Sequence, residues 1–202
     1  MNAWVRSLVD RLAAQGYPAL AVPLFARTAP DLELAYDASD LAEGRRHKDG
    51  TTSEQILADV AAAVSWLRAR CPQTVIHVVG FCFGGHAAFL AATLPGVEHA
   101  FDFYGAGVSR MRPGGGEPSL ALLPEIKARL TCVFGTADPL IPLKDREAIG
   151  VALSKVDPAG QRLRFVEYAD ADHGFMCEAR SVFNPQASAQ GWLLLLAGDP
   201  VA

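Results

Sequence analysis

Apolar residues along this chain form two alternating patterns. Short apolar runs rich in β-branched residues predict buried strands, and they occur at residues 18–23, 74–80, 97–104, 130–134 and 162–168. Between these runs, apolar residues recur at the spacing of an amphipathic helix, which predicts helices at residues 2–15, 52–71, 86–94, 143–153 and 186–196. This alternation predicts an α/β fold with a mostly parallel sheet flanked by helices. Because there is no internal repeat and no long linker, we expect one domain over residues 1–202.

Two segments before the central strand carry further signals. Thr52 and Gln55 form a T-x-x-Q capping box, which predicts the start of a helix. Residues 25–50 show no clear period, and we interpret them as a loop with at most one helical turn. This loop carries a basic cluster that includes Arg45 and Arg46. We keep two interpretations of the cluster: a solvated surface, or a rim that attracts anions.

The composition narrows the classes of partner. A net charge of −4 gives no reason to propose nucleic acid or an anionic membrane. No apolar run approaches the roughly 20 residues that span a bilayer, and the N-terminus lacks the basic and apolar regions of a signal peptide. The 4 cysteines show neither a C-x-x-C pair nor the spacing of metal ligands. We therefore expect free thiols in a reducing cytoplasm and no metal site.

Residues 80–85, Gly-Phe-Cys-Phe-Gly-Gly, have the spacing of a nucleophile elbow, with Cys82 in the place of the nucleophile. A nucleophile on a tight turn between strand and helix needs small residues two positions before and after it, here Gly80 and Gly84. The following helix would point its N-terminus at the substrate and favour negative charge on thiolate and oxyanion. The alternative is a glycine-rich turn with a buried, inert cysteine.

Two further residues complete a candidate catalytic set. Active groups in α/β sheets cluster at the carboxyl ends of strands, where Cys82, Asp138 and His173 follow in this order. A thiol needs a base, usually histidine, and the imidazole needs an acidic partner to fix its tautomer. Asp170 and Asp172 compete with Asp138 for that role, but their closeness to His173 in sequence suits charge tuning better.

The remaining histidines look structural. His77 lies inside a predicted strand, and no obvious partner is visible in the sequence for the other three, which are His47, His86 and His99.

The segments QGYPALAVPLFAR, VVGFCFGG, DFYGAGV, FGTADPLIP and DADHGF, in this order, resemble the dienelactone hydrolase family of the α/β-hydrolase superfamily. The resemblance covers nearly the whole chain. It implies an α/β-hydrolase fold and hydrolysis of a small-molecule carboxylic ester or lactone, with Cys82 as nucleophile, His173 as base and Asp138 as its orienter. It also implies an acyl-thioester intermediate and an oxyanion held partly by the N–H of Phe83. Neither a metal nor an organic cofactor is implied.

The chain departs from the family at its front. Family members carry earlier strands and a loop that supplies a second oxyanion N–H and a Glu facing the resting thiol, and no residue here matches them. We therefore expect an N-terminally shortened domain, and we favour a truncated or misassigned start over a naturally shortened family member. The runs at 18–23 and 74–80 would then pair directly or leave backbone groups unpaired.

A second departure concerns the substrate. The family has an Arg four residues after the catalytic His, where this chain has Cys177. Arg180, Arg45 and Arg46 are the candidates to bind a substrate carboxylate in its place, and we expect a broader esterase activity.

Two other functions stay open. One is a catalytically inactive, truncated family member that acts as a binding module. The other is a thiol redox protein that pairs Cys82 with Cys132 or Cys177. The oligomeric state is left open.

Overall fold

The structure, a computed structural model, describes residues 1–197, so residues 198–202 of the predicted domain lie outside the described part. Its strands are β1 (His77–Phe81), β2 (His99–Phe103), β3 (Arg129–Gly135) and β4 (Leu163–Tyr168). Its helices are α1 (Ala3–Ala14), α2 (Ala38–Asp49), α3 (Ser53–Arg70), α4 (Phe83–Ala91), α5 (Leu143–Val156) and α6 (Pro185–Ala197). A 3₁₀ helix spans Ser119–Glu125.

The strands form one parallel sheet in the order β1-β2-β3-β4. The register aligns Gly80 with Asp102 and Asp102 with Cys132. The carboxyl ends of all four strands therefore lie at the same end of the sheet, which is called its carboxyl edge below. This arrangement confirms the predicted α/β fold with a parallel sheet, and it places the loops after β1, β3 and β4 side by side.

Helices cover both faces of the sheet, as the alternation of side chains along β2 shows. Asp102 points to the face under α4, where its Oδ1 would lie 2.5 Å from a Cβ at Gly85. Phe103 points to the opposite face, where its ring lies against Gly191 of α6. Every residue of β2 is buried, as expected for a central strand covered on both faces.

The strand predicted at residues 18–23 is absent, so that prediction was wrong. The segment has no regular secondary structure and makes no strand pairing, and Leu20 remains 42% exposed. Within residues 1–197, β1 pairs with β2 alone and forms an edge of the sheet. An apolar run becomes a strand only when its backbone finds a partner, and residues 18–23 form no ladder with β1.

The interpretation of residues 25–50 as a loop was also wrong, because α2 occupies 12 of them. Asp37 caps this helix by accepting a hydrogen bond from the Asp40 N–H at 3.0 Å. None of its residues is fully buried, so the sequence carries no apolar stripe there. By contrast, the capping box of α3 is confirmed, with both reciprocal bonds between Thr52 and Gln55 present.

Among the helices of residues 1–197, none is both long enough and apolar enough to cross a bilayer.

Candidate active site

Cys82, Asp138 and His173 lie at the carboxyl edge of the sheet, on the loops after β1, β3 and β4. Cys82 directly follows β1 and directly precedes α4, as an elbow requires. Asp138 and His173 are 3% and 5% exposed, whereas Cys82 is partly exposed. The chain thus brings a reachable thiol next to two buried polar side chains.

The elbow holds Cys82 in a strained conformation with φ 58° and ψ −119°. A non-glycine residue at positive φ is uncommon and stores strain. Gly80 is required, because a Cβ there would lie 1.7 Å from the carbonyl oxygen of Gly84. Gly85 is required as well, since its Cβ would lie 2.6 Å from the Phe103 carbonyl oxygen. A Cβ at Gly84 would meet nothing within 4 Å, so glycine itself is not required there.

Close backbone contact brings the Asp138 and His173 loops together. The Ala137 N–H donates to the Ala171 carbonyl oxygen at 3.0 Å. A Cβ at Gly135 would lie 2.0 Å from the same oxygen, so only glycine allows this approach. The two loops are therefore fixed to each other by main chain as well as by their acidic and basic side chains.

His173 Nδ1 donates to Asp138 Oδ2 at 2.8 Å. The other oxygen of Asp138 accepts from the N–H groups of Leu140 at 2.8 Å and Ile141 at 3.3 Å, which fixes the carboxylate. Asp172 instead accepts from the His173 backbone N–H. Among the three acidic candidates, Asp138 is thus the one that the structure places on the imidazole, and this arrangement leaves Nε2 of His173 to act on another group.

Cys82 and His173 influence each other's charge. Burial alone raises the pKa of the Cys82 thiol, but His173, with help from the Phe83 backbone N–H, brings that pKa below its ordinary value. Burial opposes charge on His173, yet Asp138 and Cys82 outweigh it and raise the pKa of His173 to about 9. The buried Nε2 of His173 has no hydrogen-bond partner within residues 1–197. Both shifts favour a thiolate beside an imidazolium.

An aromatic wall, which consists of Phe83, Phe25 and His47, begins at the residue after Cys82. The rings of Phe25 and Phe83 stack with centroids 5.9 Å apart, and the centroid of the His47 ring also lies 5.9 Å from that of Phe25. His47 is anchored through Glu43 and Thr28. This wall gives one side of the site an apolar surface next to the N–H of Phe83.

The three arginines proposed for substrate binding lie in different surroundings. Arg180 is half-buried, and its Nη1 donates to the His173 carbonyl oxygen at 3.1 Å. The guanidinium packs against Gly174, where a Cβ would lie 2.3 Å from Nη1. Arg45 and Arg46 are exposed on α2, and Arg46 pairs with Glu43. The structure brings only Arg180 of the three against the loop that carries His173.

The sequence analysis missed partners of several histidines and one aromatic residue of the site. His86 contacts Ser119 Oγ at 2.7 Å, and His99 contacts Thr131 Oγ1 at 2.8 Å, so both have partners that sequence spacing does not reveal. The ring of Tyr104 lies against His173 with centroids 5.2 Å apart. No local signal could have found this contact, because it joins the end of β2 to the loop after β4.

No cluster of three or more His, Cys, Asp or Glu side chains with the arrangement of a metal site occurs within residues 1–197.

Comparison with known proteins places the chain in a family. The model of the dienelactone hydrolase family matches residues 1–197. A protein of Synechocystis sp., provisionally described as a carboxymethylenebutenolidase, is 36% identical over 95% of this chain and 78% of its own length. The carboxymethylenebutenolidase of Pseudomonas putida is 28% identical over 94% of this chain and 76% of its own. A crystal structure from Klebsiella pneumoniae, provisionally described as a dienelactone hydrolase, superposes with a TM-score of 0.80 at 27% identity, covering 96% and 79% of the two chains.

These matches and the parallel sheet define an α/β-hydrolase fold. The chain belongs to the dienelactone hydrolase family, and it is a hydrolase of the ester or lactone type. The expected resemblance is therefore confirmed over the described part of the chain.

Proposed function

We propose that this protein hydrolyses carboxylic esters or lactones through a Cys82-His173-Asp138 triad and an acyl-thioester intermediate. The observation that carries the proposal is the buried 2.8 Å hydrogen bond from His173 Nδ1 to Asp138 Oδ2 at the carboxyl edge, which leaves Nε2 of His173 available. It is supported by the effect of His173 on Cys82, since His173 lowers the pKa of that thiol. A thiol with a lowered pKa beside a strand-to-helix turn is a candidate nucleophile. The cytoplasmic location and the single domain expected from the sequence stay predictions.

In the first step, the Cys82 thiolate attacks the carbonyl carbon of the substrate and a C–S bond forms. The carbonyl electrons move to oxygen, and the backbone N–H of Phe83 donates to that oxyanion. When the tetrahedral intermediate collapses, the C–O bond to the leaving group breaks. The His173 imidazolium gives its Nε2 proton to the departing alkoxide. For a lactone, this alkoxide stays tethered to the acyl group.

In the second step, water resolves the thioester. Neutral His173 takes a proton from the water through Nε2, and the resulting hydroxide attacks the acyl carbon. The C–S bond breaks, the carboxylic acid leaves, and the thiolate returns to its place beside the imidazolium. Throughout, Asp138 keeps Nδ1 protonated and so keeps Nε2 available.

The substrate class follows from the lining of the site. The aromatic wall favours an apolar group next to Phe83, and Arg180 favours a carboxylate near the His173 loop. The carboxymethylenebutenolidases among the relatives act on an unsaturated lactone, as their name states. We propose esters and lactones of small carboxylic acids as substrates, with Arg180 as the anion-binding group; a role for Arg45 and Arg46 stays a prediction.

The proposal is tested by steady-state hydrolysis of p-nitrophenyl acetate. We expect turnover by the wild-type chain and its loss in Cys82→Ala, with matched circular dichroism. Cys71→Ala is the control, because Cys71 is also partly exposed but caps the far end of α3. Equal turnover by Cys82→Ala would contradict the triad.

A non-catalytic binding module is the competing proposal. It is favoured by one observation: within residues 1–197, β1 is an edge strand without a partner on its outer side. This reading predicts a folded chain in which iodoacetamide modifies Cys82 no faster than a free thiol and p-nitrophenyl acetate is not turned over.

A further inference from the structure

Tyr104 has an unusual backbone. It follows β2 directly, is 2% exposed, and has φ 43°. For a bulky residue, a left-handed conformation is an outlier that persists only where the surroundings enforce it. Such strain is often found at functional sites. Tyr104 is one of three non-glycine residues with positive φ within residues 1–197, and Cys82 is another.

The left-handed turn changes the direction of the Tyr104 ring. In a regular strand, successive side chains point to opposite faces, so Tyr104 would point away from Phe103 and toward the α4 face. Instead, both rings contact Phe81 and Phe175 on the same side of the sheet. The strained φ is thus what brings the Tyr104 ring to the side on which His173 lies.

The ring then packs directly on the proposed base. The centroids of Tyr104 and His173 are 5.2 Å apart with an interplanar angle of 63°, an edge-to-face arrangement. Phe175 contacts the Tyr104 ring at 4.9 Å and 72°. The Tyr104 hydroxyl lies against the backbone of Met176. The tyrosine therefore has little freedom to move away from the imidazole.

The Asp102 side chain stabilises the turn at Tyr104 through a hydrogen bond. Its Oδ1 accepts from the Gly105 N–H at 2.7 Å, and a Cβ at Gly105 would lie 2.2 Å from that oxygen. On the other side, the Tyr104 N–H donates to the Val133 carbonyl oxygen at 2.8 Å. The peptide on each side of Tyr104 is anchored in this way, which stabilises the left-handed conformation.

We propose that Tyr104, held in its left-handed turn by Asp102, is a positioning residue that keeps the His173 ring aligned between Asp138 and Cys82. This inference rests on the proposed triad. The hydrogen bond that His173 Nδ1 donates to Asp138 restrains rotation of the imidazole about its Cβ–Cγ bond at one nitrogen only. The Tyr104 ring blocks this rotation, so that Nε2 stays directed at the sulfur.

The role predicts a difference between removing the ring and removing the hydroxyl. In Tyr104→Leu, His173 loses its packing partner, and we expect kcat to fall by about 10²-fold, the scale of a misplaced catalytic group. KM should change little, because the Tyr104 side chain is only 2% exposed. The pH midpoint for alkylation of Cys82 by iodoacetamide should rise toward that of a free thiol. Tyr104→Phe keeps the ring and should restore kcat to within about threefold of wild type, with the wild-type midpoint.

A second pair of variants tests the same inference without touching Tyr104. Asp102→Ala frees the Gly105 N–H, so it should shift the alkylation midpoint in the same direction as Tyr104→Leu. Asp102→Asn keeps an oxygen acceptor and should leave the midpoint near wild type. If Tyr104→Leu fails to fold, the comparison of Asp102→Ala with Asp102→Asn still tests whether the turn at Tyr104 positions His173.

Two outcomes would overturn the inference and are distinguishable from failure of the triad itself. If the ring-deleting or acceptor-deleting variants are less stable to urea but keep the wild-type alkylation midpoint and kcat, Tyr104 only supports the fold. If the wild-type chain itself alkylates like a free thiol, or Cys82→Ala keeps its turnover, the proposed function fails first.

Discussion

Asp138 and His173 follow different strands, β3 and β4, and meet through a 2.8 Å hydrogen bond between Oδ2 and Nδ1. The bond is buried, and the Asp138 carboxylate is fixed from its other side by the N–H groups of Leu140 and Ile141. This relationship defines which nitrogen of His173 remains for chemistry, and it raises the pKa of the imidazole.

Replacing Asp138 by Asn should therefore damage catalysis more than structure. The amide does not stabilise a charged imidazolium, and it permits the wrong tautomer. We expect a loss of about 10²–10⁴-fold in kcat, the range for positioned acid–base catalysis. Asp170→Asn is the matched control, since Asp170 is exposed with φ 56°, a conformation that Asn also tolerates. Equal losses in both variants would assign no special role to Asp138.

The charge state of Cys82 should be visible as a function of pH. Because the Cys82 pKa is lowered and the His173 pKa is raised to about 9, thiolate and imidazolium coexist between the two apparent values, which belong to the pair. The rate of iodoacetamide alkylation should therefore reach half of its maximum at a lower pH than it does for a free thiol, whose pKa is about 8.5.

In His173→Ala, burial remains without its compensating partner, so the midpoint should move to or above that of a free thiol. A wild-type profile that simply follows free cysteine would show that no such pair exists.

The elbow glycines differ in their steric surroundings, which predicts opposite effects on stability. Gly80→Ala forces a Cβ into the Gly84 carbonyl, where backbone must move, and we expect a loss of at least ~3 kcal/mol in the free energy of unfolding. Gly84→Ala enters open space near the start of α4, where alanine is favoured over glycine by up to ~1 kcal/mol. Urea unfolding of the two variants checks this, and similar values for both would refute the steric argument.

Asp102 should make the stability depend on pH. Burial raises its pKa from 3.8 to about 7, against the weaker opposing effect of the Gly105 N–H. The folded state therefore keeps a proton that the unfolded state has released, so stability is highest below pH 4 and falls as the pH rises toward 7. The shift corresponds to roughly 4 kcal/mol.

Asp102→Asn cannot ionise and should lack this component. The test is the difference in unfolding free energy between wild type and Asp102→Asn at pH 5 and pH 8. A difference that does not change with pH would contradict a neutral buried carboxyl.

The three candidate arginines can be separated by substrate charge. Arg180→Ala should raise KM for an ester that carries a carboxylate by about tenfold, the scale of a charge-assisted hydrogen bond, and should change KM for a neutral ester much less. Arg45→Ala and Arg46→Ala are tested beside it, because their side chains are exposed on α2. A selective effect in either of these, with none in Arg180→Ala, would assign the anion site to the basic cluster of α2.

Local signals predicted much of this fold. The capping box of Thr52 and Gln55, and the glycine spacing around Cys82, act over a few residues, and the structure contains both features. The prediction of a strand at residues 18–23 failed because a strand depends on a backbone partner that the run itself does not specify. The prediction of a loop where α2 lies failed for a different reason. This helix has a capping residue but buries no apolar face, so it has no apolar period that a sequence pattern could show.

The sequence predicted the members of the candidate site but not their packing. The order of Cys82, Asp138 and His173 predicted three loops that the structure brings together, whereas Asp170 and Asp172 stayed competitors of Asp138 in the sequence. The structure distinguishes them by the hydrogen bond between His173 and Asp138, and the close approach of Gly135 to Ala171 that brings these two loops together is not visible in the sequence pattern. The Tyr104 ring on His173 is likewise a product of tertiary packing and of one left-handed residue.

The most direct test of the central claim is to trap the acyl-enzyme. The wild-type chain is mixed with p-nitrophenyl acetate, quenched in acid during turnover, and measured by intact mass and peptide mapping. The account predicts one acetyl group on the peptide that contains Cys82, which disappears as substrate is exhausted and never forms in Cys82→Ala. Sustained hydrolysis with acetyl groups elsewhere, or with none on Cys82 while the mutant remains active, would contradict it.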